Sequence, residues 1–180
     1  MLIARDKSLL LVVDIQEKLA PAIHESAAVT ANAARLLRAS AQLAVPAFVS
    51  EQYVRGLGGS LAAIREAAGH AHFFEKTHFS CAAEPGALDL LRATDRCQII
   101  LTGAESHVCV LQTACGLLEA GFAVFLVADA TSSRTPANRA AASERLRALG
   151  AQVVTTEMVL FEWLHRAGTN EFRALLPLIK

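Results

Sequence analysis

An excess of charge of either sign is missing from this chain. Lys and Arg total 17, Asp and Glu total 17, and the formal net charge is zero. Nucleic acid and anionic membranes, which draw proteins with a basic surplus, are therefore not expected as partners. Aromatic residues are few, at 6%, which argues against a platform for stacked bases. Long apolar runs are lacking too: none nears the roughly 20 residues of a membrane span. The first apolar run, Leu9 to Val13, stops at Asp14, too short for the apolar region of a signal peptide. A cytoplasmic location is expected. The four cysteines, Cys81, Cys97, Cys109 and Cys115, form no C-x-x-C pair and read as thiols rather than a disulfide framework.

What the chain has is apolar content. Its 180 residues, 53% of them apolar, suffice for one domain that buries roughly 70% of the surface its unfolded form exposes. No repeat, low-complexity tract or linker-like shift in composition divides it, so residues 1–180 are read as a single domain. A neutral, apolar-rich surface is compatible with self-association. The segment Phe161 to Leu178 is the candidate interface of a homo-oligomer.

Apolar runs of strand length recur at Leu9–Val13, Val45–Val49, Ile99–Leu101, Val124–Val127 and Val153–Val154, with the pair Phe73–Phe74 as a further short strand. Runs that are apolar at successive positions suit strands buried on both faces. Between them lie helical patterns over 26–44, 86–95, 106–120 and 136–149. Gly121 and Gly150 stand just past two of these ends and Pro136 opens the last, the expected asymmetry of helix punctuation. Strands alternating with helices predict an α/β fold with three layers, α/β/α, around a mostly parallel sheet. The least regular stretch, Glu51 to Gly59, carries Gly56, Gly58 and Gly59 and reads as a flexible or tightly turning loop. It matches neither glycine-rich phosphate-binding pattern, and no nucleotide cofactor is expected.

In open parallel sheets ligands gather beyond the carboxyl ends of the strands. Polar residues directly after the apolar runs are Asp14, Glu51 with Gln52, Lys76, the stretch Gly103 to Cys109, and Asp129. Cys109 falls where a strand gives way to a helix. In the first turn of a helix the unpaired N–H groups and the macrodipole favour an anion, which lowers a thiol's pKa and leaves N–H groups for an oxyanion. By position alone Cys109 serves equally well as a small packed hydrophobe. Asp14 by itself suits a turn cap; at the mouth of the sheet it can accept a thiol proton as general base. Lys76 is by default an exposed cation, and pointing inward it would stabilise both Asp14 and a Cys109 thiolate. His70, His72, His78 and Cys81 fall within a short span. They lack the tight pairs of a zinc site, and the histidines read as surface residues, with no metal expected.

The string Gly-Ala-Glu-Ser-His-Val-Cys-Val-Leu-Gln-Thr-Ala at 103–114 resembles the nucleophile region of the isochorismatase-like cysteine hydrolases. So do Leu-Val-Val-Asp14-Ile-Gln16, Phe-Glu-Lys76-Thr-His-Phe-Ser80, Val-Ala-Asp129-Ala-Thr-Ser-Ser-Arg134 and Thr156-Glu157-Met-Val-Leu-Phe161-Glu. The resemblance runs in order through nearly the whole chain. Glu51-Gln52-Tyr53 with Gly56-Leu57-Gly58 is similar to the isochorismatase-domain-containing subgroup. The resemblance implies a Cys109 nucleophile, an Asp14 base and a Lys76 positioning cation. It also implies a cis peptide between Ala104 and Glu105, with the N–H groups of Glu105 and Cys109 forming an oxyanion hole. The implied reaction is hydrolysis of a small-molecule amide or related C–N bond through a thioester. Gln52, Tyr53 and Phe79 are candidates for substrate contact. The metal-dependent nicotinamidases of this superfamily carry Asp-x-His after the second strand; Ser50-Glu51-Gln52-Tyr53-Val54 stands here instead, so no metal is expected. Vinyl-ether hydrolysis of the isochorismatase type, a catalytically idle interaction protein and a thiol redox protein are the competing readings. The redox reading has no resolving cysteine near Cys109 in sequence beyond Cys115 on the same helix.

Overall fold

The computed structural model describes residues 1–179. Six strands form: β1 (Ser8–Val13), β2 (Ala47–Gln52), β3 (His72–Lys76), β4 (Gln98–Ala104), β5 (Ala123–Ser132) and β6 (Gln152–Val154). Every residue of β1 is buried. Leu9, Leu11 and Val13 enter one apolar cluster while Leu10 and Val12 enter the other. Successive strand side chains point to opposite faces, so a run without polar interruption is what a strand between two helical layers requires.

The strands hydrogen-bond in the order β3-β2-β1-β4-β5-β6, and every neighbouring pair is parallel. The helices are α1 (Ser26–Gln42), α2 (Val54–Leu57), α3 (Ala62–Ala67), α4 (Ala87–Arg92), α5 (Leu111–Glu119), α6 (Pro136–Ala148), α7 (Thr156–Leu164) and α8 (Asn170–Ile179). α1, α3, α7 and α8 cover one face of the sheet; α4, α5 and α6 cover the other. The three-layer fold expected from the alternating pattern is the fold observed. No helix among the described residues is long and apolar enough to cross a membrane.

The strand order reverses between β1 and β4. There the connection after β1 leads one way along the sheet and the connection into β4 returns to the other side. In such sheets the crevice at that reversal is the natural ligand site. Asp14 leaves β1 and the turn carrying Cys109 leaves β4 on either side of it.

Some boundaries differ from the sequence reading. Glu51 and Gln52 are the last residues of β2 rather than the start of a loop, and the glycine-bearing stretch after them folds into the single turn of α2. Asp129 lies inside β5 rather than beyond it. Its Oδ1 accepts hydrogen bonds from the Thr156 N–H and hydroxyl, at 2.8 and 3.0 Å, tying down the start of α7. α3, α7 and α8 had no counterpart among the expected helices.

Candidate active site

The parallel register decides which side chains meet. Val13 pairs with Ser50 on one side and with Gly103 on the other, and Gln52 pairs with Lys76. The strands therefore end at nearly one level, and the residues at or just past their ends converge.

Asp14 is fully buried and adopts a left-handed backbone with φ 53°. Its two carboxylate oxygens are separately held. Oδ1 accepts from the Ser50 hydroxyl at 2.7 Å, and Oδ2 accepts from Lys76 Nζ at 2.8 Å. Lys76 is buried as well, its ammonium also donating to Gln52 Oε1 at 2.5 Å and to the carbonyls of Phe79 and His78 at 3.1 and 3.2 Å. A buried charge without such partners would cost several kcal/mol; here the cation has four acceptors and one countercharge. Burial drives the Asp14 carboxyl above the ordinary carboxylate range, against the pull of Lys76 and the hydrogen bonds it receives.

Cys109 sits in a π-helical turn, Ser106–Val110, that leads into α5. Single π turns inside helices are frequent at functional sites. The Ala104–Glu105 peptide bond ahead of this turn is cis. Gly103 has φ 124°, and a Cβ there would collide with the backbone of Val13. Only glycine lets β4 run this close to β1 at the crevice while holding that conformation. Glu105 is buried and its carboxylate meets Arg134, with Nε to Oε1 at 2.7 Å.

The thiol of Cys109 is buried, and its state departs from what a helix N-terminus alone predicts. Desolvation, the Asp14 charge and the hydrogen bond to that carboxylate push it up to about 12, although Lys76 pulls the other way. Burial therefore favours the protonated thiol, with the Asp14 carboxylate beside it.

Gln52, a candidate for substrate contact, has both ends of its amide engaged. Oε1 accepts from Lys76 and Nε2 donates to the Thr77 carbonyl at 2.8 Å. Its backbone is braced by Gln16, which accepts from the Gln52 N–H at 2.7 Å and donates to the carbonyls of Gln52 and Gly58. Tyr53 and Phe79 are 57% and 54% exposed, and each touches the Lys76 segment through its backbone: the Tyr53 N–H donates to the Lys76 carbonyl and the Phe79 carbonyl accepts from Nζ. Among the described residues no group of three or more His, Cys, Asp or Glu side chains is arranged to hold a metal ion.

Sequence reasoning gives Ser50 and Gln16 no role of their own and weighs Cys81 only as a free thiol and beside the histidines. Cys81 is fully buried on a short turn after β3, near Ser50, Asp14 and Lys76. Gln16 was legible only as part of a motif. Ser50 and Cys81 offered no signal, because β2 pairing and the packing of the 80–83 turn on α5 are what bring them in.

The model of the isochorismatase domain matches residues 8–158. Isochorismatase domain-containing protein 2 of Danio rerio is 39% identical over 172 residues, covering 96% of this chain and 86% of that protein. Isochorismatase family protein 1B of Dictyostelium discoideum is 35% identical, covering 99% of this chain and 88% of that protein. A solved structure described as MAR1 ribonuclease from Caenorhabditis elegans superposes with a TM-score of 0.94 at 35% identity, over 99% of this chain and 92% of that one. With the family domain spanning β1 to the start of α7, and relatives matching over nearly the whole chain, this chain belongs to the isochorismatase family.

Proposed function

We propose that the chain is a cysteine-dependent hydrolase of a small amide or related C–N bond. The observation that carries this reading is the meeting of Asp14, Lys76 and Cys109, buried together at the carboxyl ends of β1, β3 and β4.

Because the thiol rests protonated, the nucleophile must be made as it is used. Asp14 takes the Cys109 proton while sulfur bonds to the substrate carbonyl carbon, and the Glu105 and Cys109 N–H groups receive the oxyanion. The C–N bond then breaks, with the leaving nitrogen taking the proton from Asp14. Water attacks the thioester, Asp14 accepts a proton from it, and the C–S bond breaks to release the acid. That proton returns to Cys109. Lys76 keeps one positive charge beside the carboxylate throughout, so the site never gathers uncompensated negative charge.

A second reading has an observation of its own. A thiol held up to about 12 is also what a site would show if its cysteine took no part, as in vinyl-ether hydrolysis centred on Asp14. One experiment separates the two: ammonia release from a panel of small amides and pyruvate-type release from vinyl ethers, for wild type, Cys109→Ala and Asp14→Ala. Loss of amide turnover in both variants supports the covalent reading. Vinyl-ether turnover that survives Cys109→Ala and vanishes in Asp14→Ala would replace it. The ribonuclease description of the C. elegans relative finds no support in a net charge of zero, since phosphate-backbone binding draws on a basic surplus. Self-association belongs to the same proposal, with Met158 and Phe161 leaving exposed apolar side chains on α7; a monomer by size-exclusion chromatography with light scattering would count against it.

A further inference from the structure

The Asp14 carboxylate has two anchors, and the reaction proposed above accounts for one of them. Lys76 neutralises Oδ2, while Oδ1 is held by Ser50. Ser50 lies on β2 opposite Val13, fully buried, and its carbonyl accepts the Asp14 backbone N–H at 3.2 Å. It therefore grips Asp14 at both backbone and side chain.

Cys81 packs in the same apolar cluster as Cys109, its N–H donating to the Thr113 hydroxyl at 2.9 Å. A hydroxyl has one proton to give, and Ser50 gives its own to Asp14 Oδ1 at 2.7 Å. That bond, with the backbone bond between the same two residues, fixes the carboxylate from β2.

We propose that Ser50 is the positioning residue of the general base, its hydroxyl fixing the Asp14 carboxylate and favouring its ionised form for proton transfer from Cys109. This rests on the Asp14–Cys109 reading proposed above and adds a residue to it. The charged and titratable groups around Asp14 are Lys76 from β3, Cys109 from the π turn and Cys81 from the turn after β3. Of these, only Lys76 is cationic, and it is untouched by changes at Ser50.

The test needs no known substrate. Alkylation of Cys109 by acrylamide or iodoacetamide is followed against pH by peptide mass spectrometry in a Cys97→Ser, Cys115→Ser background. Tryptic cleavage after Lys76 and Arg92 puts Cys81 on a separate peptide. Ser50→Val and Ser50→Thr have matched shapes and differ by the hydroxyl, so a folding or packing effect falls on both. A lost hydrogen bond to a carboxylate raises its pKa, so the acid limb of Ser50→Val should move to higher pH by about one unit. Ser50→Thr should keep the parent limb. Coincident limbs for Ser50→Val and the parent, with Asp14→Asn abolishing the limb, would overturn the Ser50 role while leaving the base assigned. A limb that persists in Asp14→Asn would remove the underlying reading and this one with it.

Discussion

The two halves of the sheet hold their share of the site by different means. On the β1–β3 side, side chains do the holding: Asp14 with Ser50 and Lys76, Lys76 with Gln52, and the Gln16 amide on the Gln52 backbone. The bracing continues outward, where Glu51 accepts from the Ser60 N–H at 2.7 Å and from Arg65 at 2.8 Å. On the β4–β6 side the backbone does the positioning, through Gly103 and the π turn. There the buried hydroxyls of Thr102, Ser106 and Ser132 make no hydrogen bond. The difference follows from what each half carries. Buried charges must be met by fixed partners or they are expelled. A neutral thiol makes no such demand, and a backbone turn suffices to aim it.

The contrast breaks most visibly at Lys76. Replacing it with Met leaves Asp14 buried without its cation, and removing one partner of a buried pair costs about 3–5 kcal/mol. Loss of assisted proton transfer should also cut turnover by about 100-fold or more. Chemical denaturation and amide turnover measure the two effects; a change below about 1 kcal/mol would show that the charged half does not depend on its own ion pair.

A backbone-held half should fail through backbone changes. Gly103→Ala forces a Cβ into the Val13 backbone at φ 124° and should cost about 1–3 kcal/mol or more, with the β1–β4 spacing disturbed. Unchanged thermal stability together with unchanged Cys109 alkylation would remove the argument for close strand approach. The smallest effect is expected at the rim. Arg134 pairs with Glu105, but its side chain is 62% exposed, so Arg134→Ala should lose about 1 kcal/mol or less. A larger loss would mean that side-chain pairing matters on the Cys109 side too, and the comparison would weaken.

Much of this was legible before any coordinates. Leu9–Val13 announced a strand buried on both faces because it has no polar interruption, and the sheet's parallel character followed. Asp14, Lys76 and Cys109 stood out because each follows an apolar run, and the structure brings the three together. Gln52 was seen as a residue at a strand end, but not as the clamp on Lys76: whether an amide faces ligand or lysine depends on the pairing of β2 with β3. The charge state of Cys109 follows burial rather than the helix N-terminus for a related reason. A helix N-terminus is visible in sequence, whereas burial beside a carboxylate is a property of the assembled crevice. Ser50 and Cys81 are small side chains with no motif of their own, so only the fold identifies them.

The crevice between β1 and β4 has a consequence for how the chain reaches its native state. Leu9 pairs with Ile99, so the central pairing of the sheet joins segments far apart along the chain. Closing so long a loop is entropically slow, and topologies rich in distant contacts fold slowly. Asp14 and Lys76 lie on the β1–β3 side and Cys109 on the turn after β4, so the thiol and the carboxylate become neighbours only through that long-range pairing.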